Sequence, residues 1–584
     1  MEFLSSRRLT GPNLLTNWQG IQVDVAFGRF PNGEPMGPTA AGADRAMDLW
    51  RLQVWRMVTE LGWNDGLTET DWLEANTVCR VHPTGLSLAF RAPIDALYTS
   101  IDIGEWIWKS TFEVWAKREE LELKGSSALA KFRQELAKEQ DAKLQPLHDA
   151  ARERGLNFCG DDEWTTIGMG KSGRTWDTPA LPSVDEVDWD SLADVPSVMV
   201  TGTNGKSTTV RTLFEIAKAA GMMPGASSTD WIQVGDDTLD KDDWSGPGGA
   251  RAVLKDTRVE VAILETARGG MLRRGLGVPR VDVSVVTNVA ADHLGEMGVH
   301  DLPALTEVKF IVERAGDSMV LNADDPEVRR RGQSCQKPVL WYSLDESDEL
   351  IQSHINAGGE SIFLRGMELI HHSTGTETII ADVASIPMTL NGAVRYNIGN
   401  AMAAAGAALK MGLPVESIRE GLKNFRSDPV SNPGRLNVFD LNGVTAMVDF
   451  AHNPHGMEAL FDAASRMPHQ RMCVLLGQAG DRNDASIKDL TRITADAKPD
   501  LVIVKELTKY LRGREKGVIS GMIQELLIKH GHPQEQTEYV EHELDAVRRA
   551  IDWSQPGDLL LLISHSQREA VLELLSELAC STQA

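Results

Sequence analysis

The chain has 584 residues, 42% of them hydrophobic and 24% charged, which predicts several ordinary globular domains whose cores need neither disulfide nor metal staples. Its 59 basic and 84 acidic residues leave a net charge of -25; that field repels phosphate backbones and argues against nucleic acid as a partner, although local N–H groups can still hold a nucleotide. Five scattered cysteines (Cys79, Cys159, Cys335, Cys473 and Cys580) form no CxxC pair, so no zinc ribbon is expected and a reducing cytoplasm is the natural setting, while no signal peptide or membrane span is expected because no apolar stretch nears the ~20 residues a span needs.

Three units are expected, 1–190, 191–428 and 429–584. Eleven of the 15 tryptophans lie from Trp18 to Trp189. Within this first unit, segment 44–62 places Met47, Trp50, Val54, Met57, Val58 and Leu61 at helical spacing. Residues 105–154 predict one or two long helices that open apolar (EWIWKSTFEVW) and end in a solvated charged face (KREELELKG, KFRQELAKEQDAK). Segment 157–195, rich in Gly, Asp, Pro and Trp, reads as an irregular linker. The first unit is therefore a helix-rich, Trp-rich α+β domain.

From Val195 the pattern becomes α/β. Strands SVMVTG, VEVAILE and VDVSVVTNV alternate with helices such as TTVRTLFEIAKAAG, which predicts a parallel sheet covered on both faces. Segment 338–390 (VLWYSL, ESIFLRG, ETIIADV) reads as attached antiparallel hairpins, and the helices NAMAAAGAALKMG and PVESIREGLKNF close the unit. A third, Rossmann-like α/β unit starts near Pro433 with strands RLNVFDLNG, VTAMVDFA, RMCVLLG, DLVIVKE and DLLLLIS.

The strongest local signal is VTGTNGKSTT, residues 200–209. An apolar strand runs into a loop of Gly202, Thr203, Asn204 and Gly205, then a helix that begins near Lys206, Ser207 and Thr208. Glycines let N–H groups turn toward a phosphate, and the helix N-terminus adds partial positive charge. Lys206 is placed to reach the β and γ phosphates of ATP, and the Ser207 hydroxyl to ligate Mg2+. The alternative is a structural turn with an exposed lysine. Val200 stands where the general P-loop has its first glycine.

Further segments follow in order: ETARGGMLRRGLG (265–277), TNVAADHLG (287–295) with Lys309 downstream, LNADDP (321–326), YNIGNAMAAAGAA (396–408), NPGRLNVF (432–439), DFAHNPHG (449–456), GDRND (480–484) and RGREKG (512–517). With GTNGKST they resemble the Mur ligase superfamily from about Val195 to Leu578, and especially the Mur-ligase half of cyanophycin synthetases. The resemblance implies an ATP-dependent carboxylate–amine ligase that forms an acyl phosphate and releases ADP and phosphate. Its substrates would be an amino acid and a peptide-like or aspartate-type carboxylate, and a homodimer is the family habit. The stretch RRLTGPNLLTNWQGIQVDV faintly resembles the start of the cyanophycin synthetase N-terminal domain. No segment has the size of that family's ATP-grasp domain, so the chain is not expected to make cyanophycin unaided.

Glu265 ends a strand where a Mg2+ ligand would belong; a helix cap is the other possibility. The resemblance makes His293 a second metal-site ligand, against an ordinary partly buried histidine, and makes Lys309 a carbamylated, metal-bridging lysine, against a surface lysine. Asn288 ends a strand beside the expected nucleotide crevice. Asn397 and Asn400 resemble adenine-side contacts or, alternatively, helix caps. Arg435 and Asp449 correspond to residues that close on phosphate, base or ribose, and His452 and Asn453 to the loop that faces the reaction centre. Arg268, Arg273 and Arg274 offer guanidinium forks for a carboxylate, or merely an Arg-rich surface loop. Arg482, Asp484 and Arg514 are candidates to receive the amine. Two other functions stay open: a plain ATPase or kinase with the N-terminal unit as a binding module, and an ATP-binding subunit that works with an amidotransferase.

Overall fold

A computed structural model describes residues 1–28, 41–117 and 123–581. The first unit is built on an antiparallel four-stranded sheet, in the order Glu2–Leu9, Gly20–Ala26, Gly85–Arg91, Thr77–His82. Helices Ala41–Leu61 and Thr99–Lys117 pack on it. Four of the periodic residues predicted for 44–62, namely Trp50, Val54, Met57 and Val58, are fully buried in a core shared with Ile21, Val23, Leu88 and Phe90. The one or two long helices expected over 105–154 are instead the end of Thr99–Lys117, then Ser127–Glu139 and Leu144–Glu153. Ser126 caps the second by accepting from Leu129 N, and its apolar stripe buries Leu129, Phe132 and Leu136. Residues 118–122 of the charged run lie outside the described residues.

The expected linker is a folded element. Phe158–Gly160, Trp164–Ile167 and Arg174–Asp177 form an antiparallel three-stranded sheet. It closes a small core of Leu147, Ala151, Ile167, Leu181 and Val187 with helix Leu144–Glu153.

Residues 197–382 form an 11-stranded sheet in which the seven strands from Pro224–Ser227 to Glu360–Arg365 run parallel. The strands are short apolar runs buried on both faces, as a parallel sheet requires. Side chains alternate between two cores: Met199, Ala262 and Leu264 enter one, and Val198, Val200, Val261 and Ile263 the other. The 338–390 region departs from the hairpin expectation. Val339–Ser343 and Glu360–Arg365 continue the parallel run, and only Glu368–Ser373 and Thr376–Asp382 add antiparallel strands at that edge. Residues 437–563 form a six-stranded sheet in the order Asn437–Leu441, Val444–Asp449, Leu559–Ile563, Met472–Leu476, Leu501–Val504, Thr537–Tyr539, parallel after its first hairpin. Among the described residues no helix is long and apolar enough to cross a membrane.

In the large sheet, Ser197–Thr201 lies between Val261–Glu265 and Val281–Val286. The direction of winding reverses there, so the loops leaving these three strands diverge and open a crevice at their C-terminal ends.

Candidate active site

That crevice is a cavity of about 650 Å3, walled by the large sheet on one side and by residues of the six-stranded unit on the other, a size suited to a nucleotide. Its floor is the glycine loop. Gly202 has φ +144° and Gly205 φ +85°, conformations that an L side chain rarely adopts. A Cβ on Gly202 would lie 1.9 Å from Thr287 Oγ1, and one on Gly205 2.3 Å from Asn400 Oδ1, so both positions require the missing side chain. Asn288 clamps the loop: its Nδ2 donates to Asn204 O at 3.0 Å, and its Oδ1 accepts from Asn204 N at 2.9 Å. Thr203 Oγ1 is tied to Ala290 in the same way, donating to its O at 3.1 Å and accepting from its N at 3.0 Å.

Gly205 is the N-cap of helix Lys206–Ala219 and makes no side-chain cap bond. Among the described residues the N–H groups of Gly205, Lys206, Ser207 and Thr208 find no acceptor, and all four residues line the cavity. Orphan N–H groups at a helix start form an anion site. Lys206 Nζ donates to Thr203 O at 2.9 Å; burial lowers its ammonium and nearby Glu265 raises it.

Glu265 is 1% exposed. Its carboxylate accepts from Ser228 Oγ at 2.9 Å, Thr229 N at 3.2 Å and Thr229 Oγ1 at 2.6 Å; it caps no helix. All its hydrogen-bond donors are neutral, and among the described residues no cation touches this buried carboxylate, an arrangement that fits a divalent ion. Among the described residues no group of three or more His, Cys, Asp or Glu is preassembled for a metal. That suits Mg2+, which takes one or two protein ligands and leaves the rest to phosphate and water.

Lys309 is not on the surface. It is 4% exposed, ends helix Leu302–Lys309, and donates from Nζ to Gly202 O at 2.7 Å. Burial and the neighbouring Lys206 push its ammonium well below the ordinary lysine range. A neutral lysine is the form that adds carbon dioxide. His293 lies outside the cavity lining, in a strained turn with φ +50°. Its Nδ1 is 3.5 Å from Glu296 Oε1, which also places it beside Arg268, bound to Glu296 Oε2 at 3.1 Å. Burial lowers the His293 imidazolium, while Asp292 raises it.

Asn397 and Asn400 both line the cavity from within helix Arg395–Lys410 rather than from its cap position. Asn400 Nδ2 donates to Asn397 Oδ1 at 3.0 Å, and Asn397 Nδ2 to Met388 O at 2.8 Å. The far wall carries Arg435 stacked on Phe450 at 4.6 Å, and Asp449, whose Oδ2 accepts from Leu436 N at 2.9 Å. Burial raises the Asp449 carboxyl, and Arg435 opposes this.

Among the described residues, the links between the two α/β units include those made by Asn204, Asp230 and Asp292. Asn204 and Asn453 exchange side-chain hydrogen bonds at 3.2 and 3.1 Å. Asp230 is shared between Arg211 at 2.7 Å and Arg568 at 2.8 Å. Asp292 accepts from Arg482 at 2.6 Å and lies 3.6 Å from His452 Nε2. Burial alone would raise the Asp292 carboxyl, but His452 and Arg482 hold it well below the usual carboxylate range.

Several residues expected at the substrates are engaged elsewhere. Asn453 caps helix Pro454–Ser465 and holds the glycine loop. Asp484 and Arg514 pair with each other at 2.8 Å, and Arg514 also donates to Gly480 O and Arg482 O. Arg273 and Arg274 are exposed on helix Arg268–Arg274, outside the nucleotide cavity. Sequence reasoning missed Thr229, which carried no signal, and Asp292 and Phe450, which sat unassigned inside quoted segments.

Residues 200–408 match the Mur ligase middle domain, and residues 434–565 the Mur ligase glutamate ligase domain. The cyanophycin synthetase of Synechocystis sp. is 37% identical over 65% of this chain and 43% of its own length, and that of Crocosphaera subtropica 35% identical over 65% and 44%. The UDP-N-acetylmuramoyl-L-alanyl-D-glutamate–2,6-diaminopimelate ligase of Geobacter metallireducens is 26% identical over 63% of this chain and 73% of its own. The chain thus spans less than half the length of the cyanophycin synthetases it matches. Both domain matches fall on the sheets that wall the cavity, and the chain belongs to the Mur ligase superfamily.

Proposed function

We propose that this protein is an ATP-dependent ligase that joins a carboxylate to an amine through an acyl phosphate. The observation that carries the reading is the juxtaposition in one cavity of four orphan N–H groups, a partly buried lysine and a buried carboxylate whose hydrogen-bond donors are all neutral. The N–H groups of residues 205–208 and Lys206 hold the phosphates. Ser207 and Glu265 would hold Mg2+, with His293 and carbamylated Lys309 at a further metal position. The ion supplies charge neutralisation for phosphoryl transfer. Asn397, Asn400, Arg435 and Asp449 surround the nucleoside end.

The substrate carboxylate attacks the γ-phosphorus, the bond to the bridging oxygen of ADP breaks, and an acyl phosphate forms. The amine nitrogen then attacks the acyl carbon, phosphate leaves, and the amine gives up a proton. Activation is needed because a carboxylate is a poor electrophile. Work falls to positioning and electrostatics, and the Asn204–Asn453 and Asp292–Arg482 links hold the second unit over the loop for that purpose. The likeness to cyanophycin synthetases and to a diaminopimelate ligase favours a peptide-like or aspartate-type acid and an amino-acid amine, and it underlies our division into units 1–190, 191–428 and 429–584. The test is a matrix of acids and amines with ATP, read by phosphate release and product mass. ADP formation is expected only when both acid and amine are present, and Lys206→Ala is expected to abolish it; ADP release indifferent to either partner would overturn the reading.

A further inference from the structure

A second cavity, of about 630 Å3, lies where strand Glu2–Leu9, helix Ser127–Glu139, the small three-stranded sheet and helix Pro247–Leu254 come together. Two guanidinium groups line it, Arg8 from the strand and Arg251 from the last helix. Each has a buried Nε with no acceptor among the described residues. The Tyr98 ring lies 3.6 Å from the Arg8 guanidinium and fixes its plane. Burial, then the charges of Arg274 and Arg251, press Arg8 down to about 10. Two guanidinium groups turned into one cavity repel each other, and their Nε atoms lack an acceptor that an anionic ligand group would supply.

Guanidinium forks match carboxylates. The same cavity carries acidic groups, among them Glu139 and Asp162, whose charges reach Arg8. We propose that this cavity binds a small carboxylate-bearing zwitterion, a free amino acid or the end of a short peptide. Arg8 and Arg251 take its carboxylate, and its ammonium sits among Glu139 and Asp162. The site is separate from the nucleotide cavity and does not depend on the ligase reading.

The full-length chain, without nucleotide, is titrated calorimetrically with L-glutamate, L-lysine, glycylglycine, N-acetylglycylglycine and glycylglycine amide. At least one free zwitterion is expected to bind saturably. The amide, Arg8→Gln and Arg251→Gln are each expected to weaken binding about tenfold or more, because a buried charge-assisted pair is lost, while nucleotide affinity stays unchanged as a check on folding. Preference for amino acid over peptide, or the reverse, identifies the source of the ligand. In the unaltered chain, the bound zwitterion is expected to slow phenylglyoxal modification of Arg8 and Arg251, located by mass spectrometry. No saturable binding, binding indifferent to both substitutions, or absence of protection would overturn the site. Equal binding of N-acetylglycylglycine and glycylglycine would overturn the ammonium half.

Discussion

Replacing Gly205 with alanine places a methyl group where the glycine loop has no room. The residue holds φ +85°, and the left-handed region costs a non-glycine residue about 1–2 kcal/mol. The added Cβ would sit 2.3 Å from Asn400 Oδ1. Asn400 is buried, and moving it breaks its 3.0 Å bond to Asn397, a loss of about 1 kcal/mol. The loop escapes by leaving the conformation that holds its N–H groups together, so the cost of about 2–3 kcal/mol emerges as nucleotide binding weakened roughly 30- to 150-fold. Titration with a fluorescent ATP analogue measures it. The clash term is separable: the Gly205→Ala penalty, measured in an Asn400→Ala background, is expected to shrink by about fivefold, the steric part alone. Unchanged affinity in Gly205→Ala, or a penalty indifferent to Asn400, would refute the reasoning.

Other outcomes follow from the same geometry. Asp292→Asn removes the anion shared by Arg482 and His452; steady-state kinetics are expected to show kcat reduced about tenfold or more with nucleotide affinity little changed, since the link holds the units together over the reaction centre. Asn453→Ala removes a helix cap as well as the Asn204 contact, and denaturant unfolding is expected to show a loss of about 1–2 kcal/mol. Lys309→Ala is expected to lose most activity, with partial return on adding short-chain carboxylates that replace a carbamate; an activity equal to the unaltered protein would remove Lys309 from the mechanism. Burial raises the Asp194 carboxyl to about 6 despite hydrogen bonds from Asn157. The folded state therefore binds this proton more tightly than the unfolded chain, so its contribution is full below about pH 4 and is lost as pH rises to about 6, near 2 kcal/mol after allowance for screening. Asp194→Asn is expected to flatten that part of the stability curve, and an unchanged slope would contradict the assignment.

What was legible in the sequence was local. The strand, glycine loop and helix at 197–219 are contiguous, so their order alone predicts that local structure, and the helix at 44–62 declares its buried face by period. Contacts between distant segments were not legible. Val339–Ser343 reads locally as part of a hairpin because its parallel partner, Gly316–Asn322, is separated from it by a helix. The sheet within 158–177 has strands of only three or four residues, too short for alternation to stand out among Gly, Pro and Trp. Residue type also says nothing about whom a side chain faces. Asp484 and Arg514 looked free for a substrate, yet they satisfy each other. Lys309 had a metal-bridging role from resemblance alone, with a surface lysine as the other possibility, and its burial under Gly202 is a long-range contact that sequence does not show.

In the proposed reaction the cavity hands the terminal phosphoryl group of ATP to an organic acid. Supplying the acid with both carboxylate oxygens as oxygen-18, together with ATP and the amine, tests it directly. Each inorganic phosphate released is expected to carry one labelled oxygen taken from the acid. Phosphate released without label, alongside formation of the amide, would contradict it.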